Sequence, residues 1–111
     1  MKTAYRIVAS ISGNISRCGY AYIATATDHV LRCGIHPGDL MHRIYPAVAE
    51  EHKTTVKLAA RNIARAVEDL WDFGDRDALE KIAGHKLAAK PSPGELIVTI
   101  ANYMIGNADA L

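Results

Sequence analysis

Long apolar runs are missing from this 111-residue sequence. None approaches the ~20 residues of a membrane-spanning helix, and the N-terminal MKTAYRIVASISG lacks the apolar region of a secretory signal. Cysteine is scarce, with only Cys18 and Cys33 present. A helix between them would hold the pair roughly 20 Å apart, beyond disulfide reach, so reduced thiols in a cytoplasmic protein are expected. No glycine-rich phosphate loop or nucleophile elbow occurs, which speaks against an enzyme, and no cofactor is expected. Charge of one sign is also lacking: the formal net charge is +1. Many DNA-binding domains are strongly basic, so any electrostatic case must rest on where the charges sit.

Half of the residues are hydrophobic, enough for a core, and alanine recurs at helix-compatible spacing. β-branched residues fall inside helical patterns rather than alternating runs. The class expected is all-α: a bundle of about six helices in a single domain spanning 1–111. A first helix is predicted over Tyr5–Ser12 with Tyr5, Val8 and Ile11 inward, closed by Gly13 and Asn14 as left-handed capping residues. A second runs from Tyr20 to Cys33, with Tyr20, Ile23, Thr27, Val30 and Leu31 inward and Gly34 closing it. The loop Ile35-His36-Pro37-Gly38 leads to Asp39, an N-cap residue type. A fifth helix is predicted over Arg76–Ala83, presenting Leu79 and Ile82. The sixth opens on Ser92-Pro93-Gly94-Glu95, a capping box with proline at the first helical position, and carries Leu96, Ile97, Ile100, Ala101 and Met104 on its apolar face.

The most informative stretch is Asp39–Phe73, which reads as a helix-turn-helix. Its first helix, Leu40–His52, aligns Leu40, Ile44, Val48 and Ala49 on one face, and Pro46 inside it predicts a bend or irregularity. After His52-Lys53-Thr54, Thr54 or Thr55 caps a second helix whose apolar stripe is Val56, Ala59, Ala60, Ile63, Ala66, Val67, Leu70 and Trp71. On the opposite face, Lys57, Arg61 and Arg65 stand four residues apart, one cationic stripe at 3.6 residues per turn. A basic stripe on the second helix of such a unit suits the major groove of double-stranded DNA. Glu50, Glu51, Glu68, Asp69, Asp72 and Asp75 flank it.

The run IYPAVAEEHKTT, followed by Arg61, Ile63, Ala66, Glu68, Trp71 and Gly74, resembles the C-terminal effector domain of the master sporulation response regulator of endospore-forming bacteria. Gly19-Tyr20-x-Tyr22, Gly84 and Lys90-Pro91 with Glu95 extend the likeness over roughly Ile11 to Met104. The resemblance implies a six-helix bacterial transcription factor whose third and fourth helices read DNA. It also implies a homodimer on a repeated site and contact with RNA polymerase. Arg61 matches a family arginine and Lys90 a lysine near the nucleic acid; Arg65 stands where another basic or polar residue is usual. Leu58, Ala60 and Ala64 replace polar or charged residues of the family's recognition helix, so a different target site, or no specific site, is expected. The chain has no room for the receiver domain that precedes this module in full-length regulators.

The expected DNA-binding set is therefore Thr54, Thr55, Lys57, Arg61, Arg65 and Lys90. Arg61 is the expected base reader, the other cations meet phosphate or bases, and the threonines lie where a helix N-terminus meets phosphate. The bland reading is a solvated helix face, with Glu68 balancing Arg65 at i+3. Cys33-x-x-His36 with His42 offers three ligands where structural zinc usually takes four, and Cys18 and His29 are separately placed, so no metal site is expected. His42 with Glu50 or Glu51 lacks a pocket for acid–base chemistry. Tyr20, Tyr22, Tyr45, Trp71 and Phe73 are expected in packing, and Tyr103 and Met104 partly exposed. The competing function is a degenerate helix-turn-helix serving protein–protein contact.

Overall fold

The computed structural model describes residues 4–34 and 40–106. Among these, six α-helices and no strand occur: α1 Ala4–Ile11, α2 Cys18–Cys33, α3 Tyr45–Glu51, α4 Val56–Phe73, α5 Arg76–Ala83 and α6 Pro93–Gly106. The loop around His36 and the expected cap at Asp39 lie outside the described residues. The bundle is all-α, with α3 and α4 as its helix-turn-helix.

The central helix is α2, packed against α1, α3, α4 and α6. Its inward series starts as expected with Tyr20, Ile23 and Thr27 buried, while Val30 and Leu31 are half-buried toward its end. Gly19 explains how α4 comes so near: a Cβ there would collide with the Asn62 carbonyl and lie 2.8 Å from the Ala66 methyl. The helix ends at Gly34, whose left-handed φ of 61° lets its N–H reach the Val30 carbonyl at 2.8 Å.

Two details of α1 differ from expectation. Ala4, Ile7, Val8 and Ile11 face inward and Tyr5 is exposed, because the i, i+3, i+4, i+7 series starts at Ala4, one residue before Tyr5. Gly13 is not left-handed. The helix ends instead because its next N–H groups find side-chain acceptors: Gly13 donates to the Tyr20 hydroxyl at 3.0 Å and Asn14 to Asp69 Oδ2 at 2.8 Å.

The irregularity expected at Pro46 is present. Leu40–Ile44 winds as a π-helix and α3 proper starts at Tyr45, with Pro46 in its first turn. A ring without an N–H costs nothing there, since first-turn N–H groups have no intrahelical acceptor. Ile44, Tyr45, Val48 and Ala49 are buried against the core.

The last two helices follow their predicted bounds. Asp75 caps α5 by accepting from the Ala78 N–H at 3.0 Å, and Gly84 ends it in the left-handed region. The capping box of α6 is reciprocal: Glu95 Oε1 accepts from the Ser92 N–H at 2.9 Å and Ser92 Oγ from the Glu95 N–H at 3.2 Å. Leu96, Ile97, Ile100 and Ala101 are buried, while Met104 is partly buried against the core. Arg76 lies over the Trp71 ring, 3.3 Å from its centroid, and donates to the Trp71 carbonyl at 2.8 Å. That contact fixes the α4–α5 corner.

Candidate nucleic-acid interface

The turn between α3 and α4 is set by backbone hydrogen bonds. Thr54 donates to the Ala49 carbonyl at 2.9 Å and Lys53 to Glu50 at 3.3 Å, the paired pattern of a Schellman motif. Its left-handed position is held by Lys53 at φ 54°, where glycine would be less strained. Thr54 has thus spent its N–H inside the turn. Thr55 is the N-cap, its hydroxyl oxygen accepting from Leu58 N at 3.1 Å. The remaining first-turn N–H groups carry the positive end of the α4 dipole.

From that cap α4 runs for 18 residues. Ala59, Ile63, Ala66, Val67 and Leu70 are buried, whereas Lys57, Arg61, Ala64, Arg65, Glu68 and Asp72 are exposed. Burial of a side chain such as Ile63 contributes about 1.5–3 kcal/mol, so the apolar face fixes which way the cations point. Lys57, Arg61 and Arg65 step along the axis at about 6 Å intervals. None pairs with a carboxylate among the described residues. Glu68 turns to Lys90 instead of Arg65, at 3.6 Å. This ion pair brings the α5–α6 connector, and with it the sixth expected residue, alongside the exposed face of α4. The connector is anchored further by the Leu87 N–H donating to Glu80 Oε2 at 2.8 Å. Of the three apolar replacements, Leu58 is 45% exposed, Ala64 is exposed and Ala60 half-buried.

Two supports of this face were not legible as such. Asp69, grouped above with the flanking acids, is only 8% exposed and turns inward. Its Oδ2 accepts from the Tyr20 hydroxyl at 2.7 Å and from the Asn14 N–H, and Arg17 Nε lies 3.3 Å from Oδ1. Burial alone would raise this carboxyl's pKa, but the Tyr20, Asn14 and Arg17 interactions outweigh it and the net shift is downward. Burial and the same carboxylate push the Tyr20 phenol far up. The signal in the sequence was position: Asp69 sits three residues after Ala66 and one before Leu70, within the inward arc. The second support is His52. Its Nε2 lies 2.8 Å from the Thr25 hydroxyl, and its ring is 4.6 Å from that of Tyr22, locking the turn against α2. Phe73, expected to pack, is 77% exposed at the end of α4.

A family model described as the sporulation initiation factor Spo0A C terminal matches residues 4–104. The chain belongs to the Spo0A C-terminal family. That family is the DNA-binding effector domain of the sporulation regulator, a family of transcription regulation rather than of enzymes. The Spo0A C-terminal match takes in all six helices up to Met104 and so includes the helix-turn-helix, the Lys90 connector and the Asp69 support. No helix among the described residues is long and apolar enough to cross a membrane.

Proposed function

We propose that this chain binds double-stranded DNA by laying α4 in the major groove, and thereby regulates transcription. The observation that carries the reading is the stripe Lys57–Arg61–Arg65, without a carboxylate partner among the described residues, on the outward face of the second helix of the unit. Arg61, at its centre, reads a base edge, with guanine the natural bidentate partner. Lys57, Arg65 and Lys90 meet phosphates on either side, and Thr54 and Thr55 bring the helix N-terminus to the backbone. Leu58 and Ala64 offer thymine methyl groups an apolar surface rather than a hydrogen-bonding code. The recognised site then differs from that of relatives carrying polar residues there. Binding as a homodimer to a repeated site, with RNA polymerase engaged from the bound state, completes the proposal.

A second reading is favoured by the exposed Leu58 together with Ala64: the face docks another protein. Selection from random duplexes at low salt separates the two. DNA reading predicts enrichment of one sequence, and a loss of about 1–3 kcal/mol of discrimination at one position in Arg61→Ala. Failure to enrich any sequence refutes sequence-specific reading.

A further inference from the structure

A cleft of about 310 Å³ opens where α1, α5 and α6 meet, lined by Arg6, Ile7, Ser10, Ala78, Lys81, Ile82 and Tyr103. No residue of α3 or α4 lines it. We propose that this cleft is a second binding site that takes a small organic carboxylate with an apolar body.

The lining divides by chemistry. Ile7, Ala78 and Ile82 form an apolar surface, Ser10 and Tyr103 carry hydroxyls, and Arg6 and Lys81 come in from different helices with no acid among the lining residues. Lys81 is exposed and pairs with no carboxylate among the described residues. Arg6 is already engaged within the chain, so the head of a ligand falls to Lys81. The Ser10 hydroxyl donates to the Ile7 carbonyl at 2.6 Å, which leaves its lone pairs as acceptors.

Size and composition choose the ligand class. The volume lies at the small end of ligand sites, which run from about 300 to 1,000 Å³, and suits one ring or branched chain. A bare phosphate would meet Lys81 while leaving the apolar surface in water. A neutral apolar molecule would leave Lys81 without a counter-charge among the described residues. An anionic head on an apolar body satisfies both, with a charge-assisted hydrogen bond at the head. A duplex backbone cannot enter a concavity of this size.

The test is an amide chemical-shift titration of the labelled full chain with benzoate, benzamide, inorganic phosphate and the blocked dipeptide acetyl-Leu-Glu-amide. The proposal expects saturable shifts with benzoate at Ser10, Ala78, Lys81 and Tyr103, with a dissociation constant on the order of 1 mM. Benzamide and phosphate should bind at least about tenfold more weakly. Lys81→Met should weaken benzoate about tenfold or more, and Ser10→Phe, which fills the cleft from an exposed position of α1, should abolish saturation. Both sites are at the surface, and an unchanged amide spectrum elsewhere confirms folding. Equal binding of phosphate, shifts centred on α4, no saturation by 20-fold above the expected constant (~20 mM), or tighter binding of the dipeptide would each overturn the assignment.

Discussion

Asp69 ties α4 to the α1–α2 corner, and its replacement gives the sharpest stability prediction. In Asp69→Ala the buried Tyr20 hydroxyl and the part-buried Asn14 N–H both lose the acceptor they share. A buried donor left unsatisfied costs about 1–3 kcal/mol. Arg17 is half exposed, so its lost pairing adds little. With the part-buried Asn14 N–H at the low end of that range, the sum is a destabilisation of about 2–4 kcal/mol. Asp69→Asn should cost only about 1 kcal/mol, because its carboxamide oxygen can occupy the Oδ2 position and serve both donors. The amide NH2 then faces Arg17, which can swing into solvent.

The two variants also differ from wild type in acid. The folded pKa of Asp69 lies below its unfolded value. The carboxylate's contribution is therefore fully present above the unfolded pKa of about 3.9 and is lost as pH falls through the lower folded value. Urea unfolding followed by circular dichroism between pH 2.5 and 7 measures this directly. The wild-type advantage over Asp69→Asn should be constant near neutrality and shrink below about pH 4. A cost under about 1 kcal/mol for Asp69→Ala, equal costs for the two variants, or an advantage unchanged down to the lowest pH would refute the reasoning.

Three further outcomes follow from the same geometry. Gly19→Ala should destabilise by about 1–3 kcal/mol or more, seen as a lower melting temperature, because its methyl enters the Asn62 carbonyl and the Ala66 side chain; an unchanged melt contradicts the close α2–α4 approach. Lys53→Gly should stabilise by about 0.5–1 kcal/mol in urea unfolding, since the left-handed φ at the turn favours glycine. Glu68→Gln should release Lys90 from its ion pair and raise affinity for duplex DNA in fluorescence anisotropy, most at low salt; unchanged affinity would place Lys90 away from the nucleic acid.

Local chemistry was readable from the residues and long-range partnership was not. The Ser92–Glu95 capping box, the stop of α2 at Gly34 and the inward stripe of α4 each depend on positions a few residues apart, and each formed as expected, whereas the left-handed cap expected at Gly13 did not. Tyr5 and Phe73 were misplaced because each stands at a helix end, where one residue of register decides which side a ring faces. Asp69 looked like one more acid beside the cations; only the fold, by bringing Tyr20, Asn14 and Arg17 to it, makes burial affordable. His52 likewise acquires its meaning from Thr25 and Tyr22, on a helix more than a loop away. The partner of Glu68 changed from Arg65 to Lys90 for the same reason: a connector distant in sequence passes closer than the residue one turn back. The six expected DNA-binding residues lie on or beside one exposed helix face, except that the Thr54 N–H is already used inside the turn.

The measurement that bears most directly on the central claim is the salt dependence of binding to the selected duplex. With Lys57, Arg65 and Lys90 on phosphates, log K should fall with log salt at a slope of about −2.7, a loss of roughly 40-fold between 50 and 200 mM. Lys57→Ala should make the slope shallower by about 0.9 without changing the preferred sequence. A slope near zero, or one that Lys57→Ala leaves unchanged, would contradict the claim that the cationic stripe of α4 is the DNA-binding face.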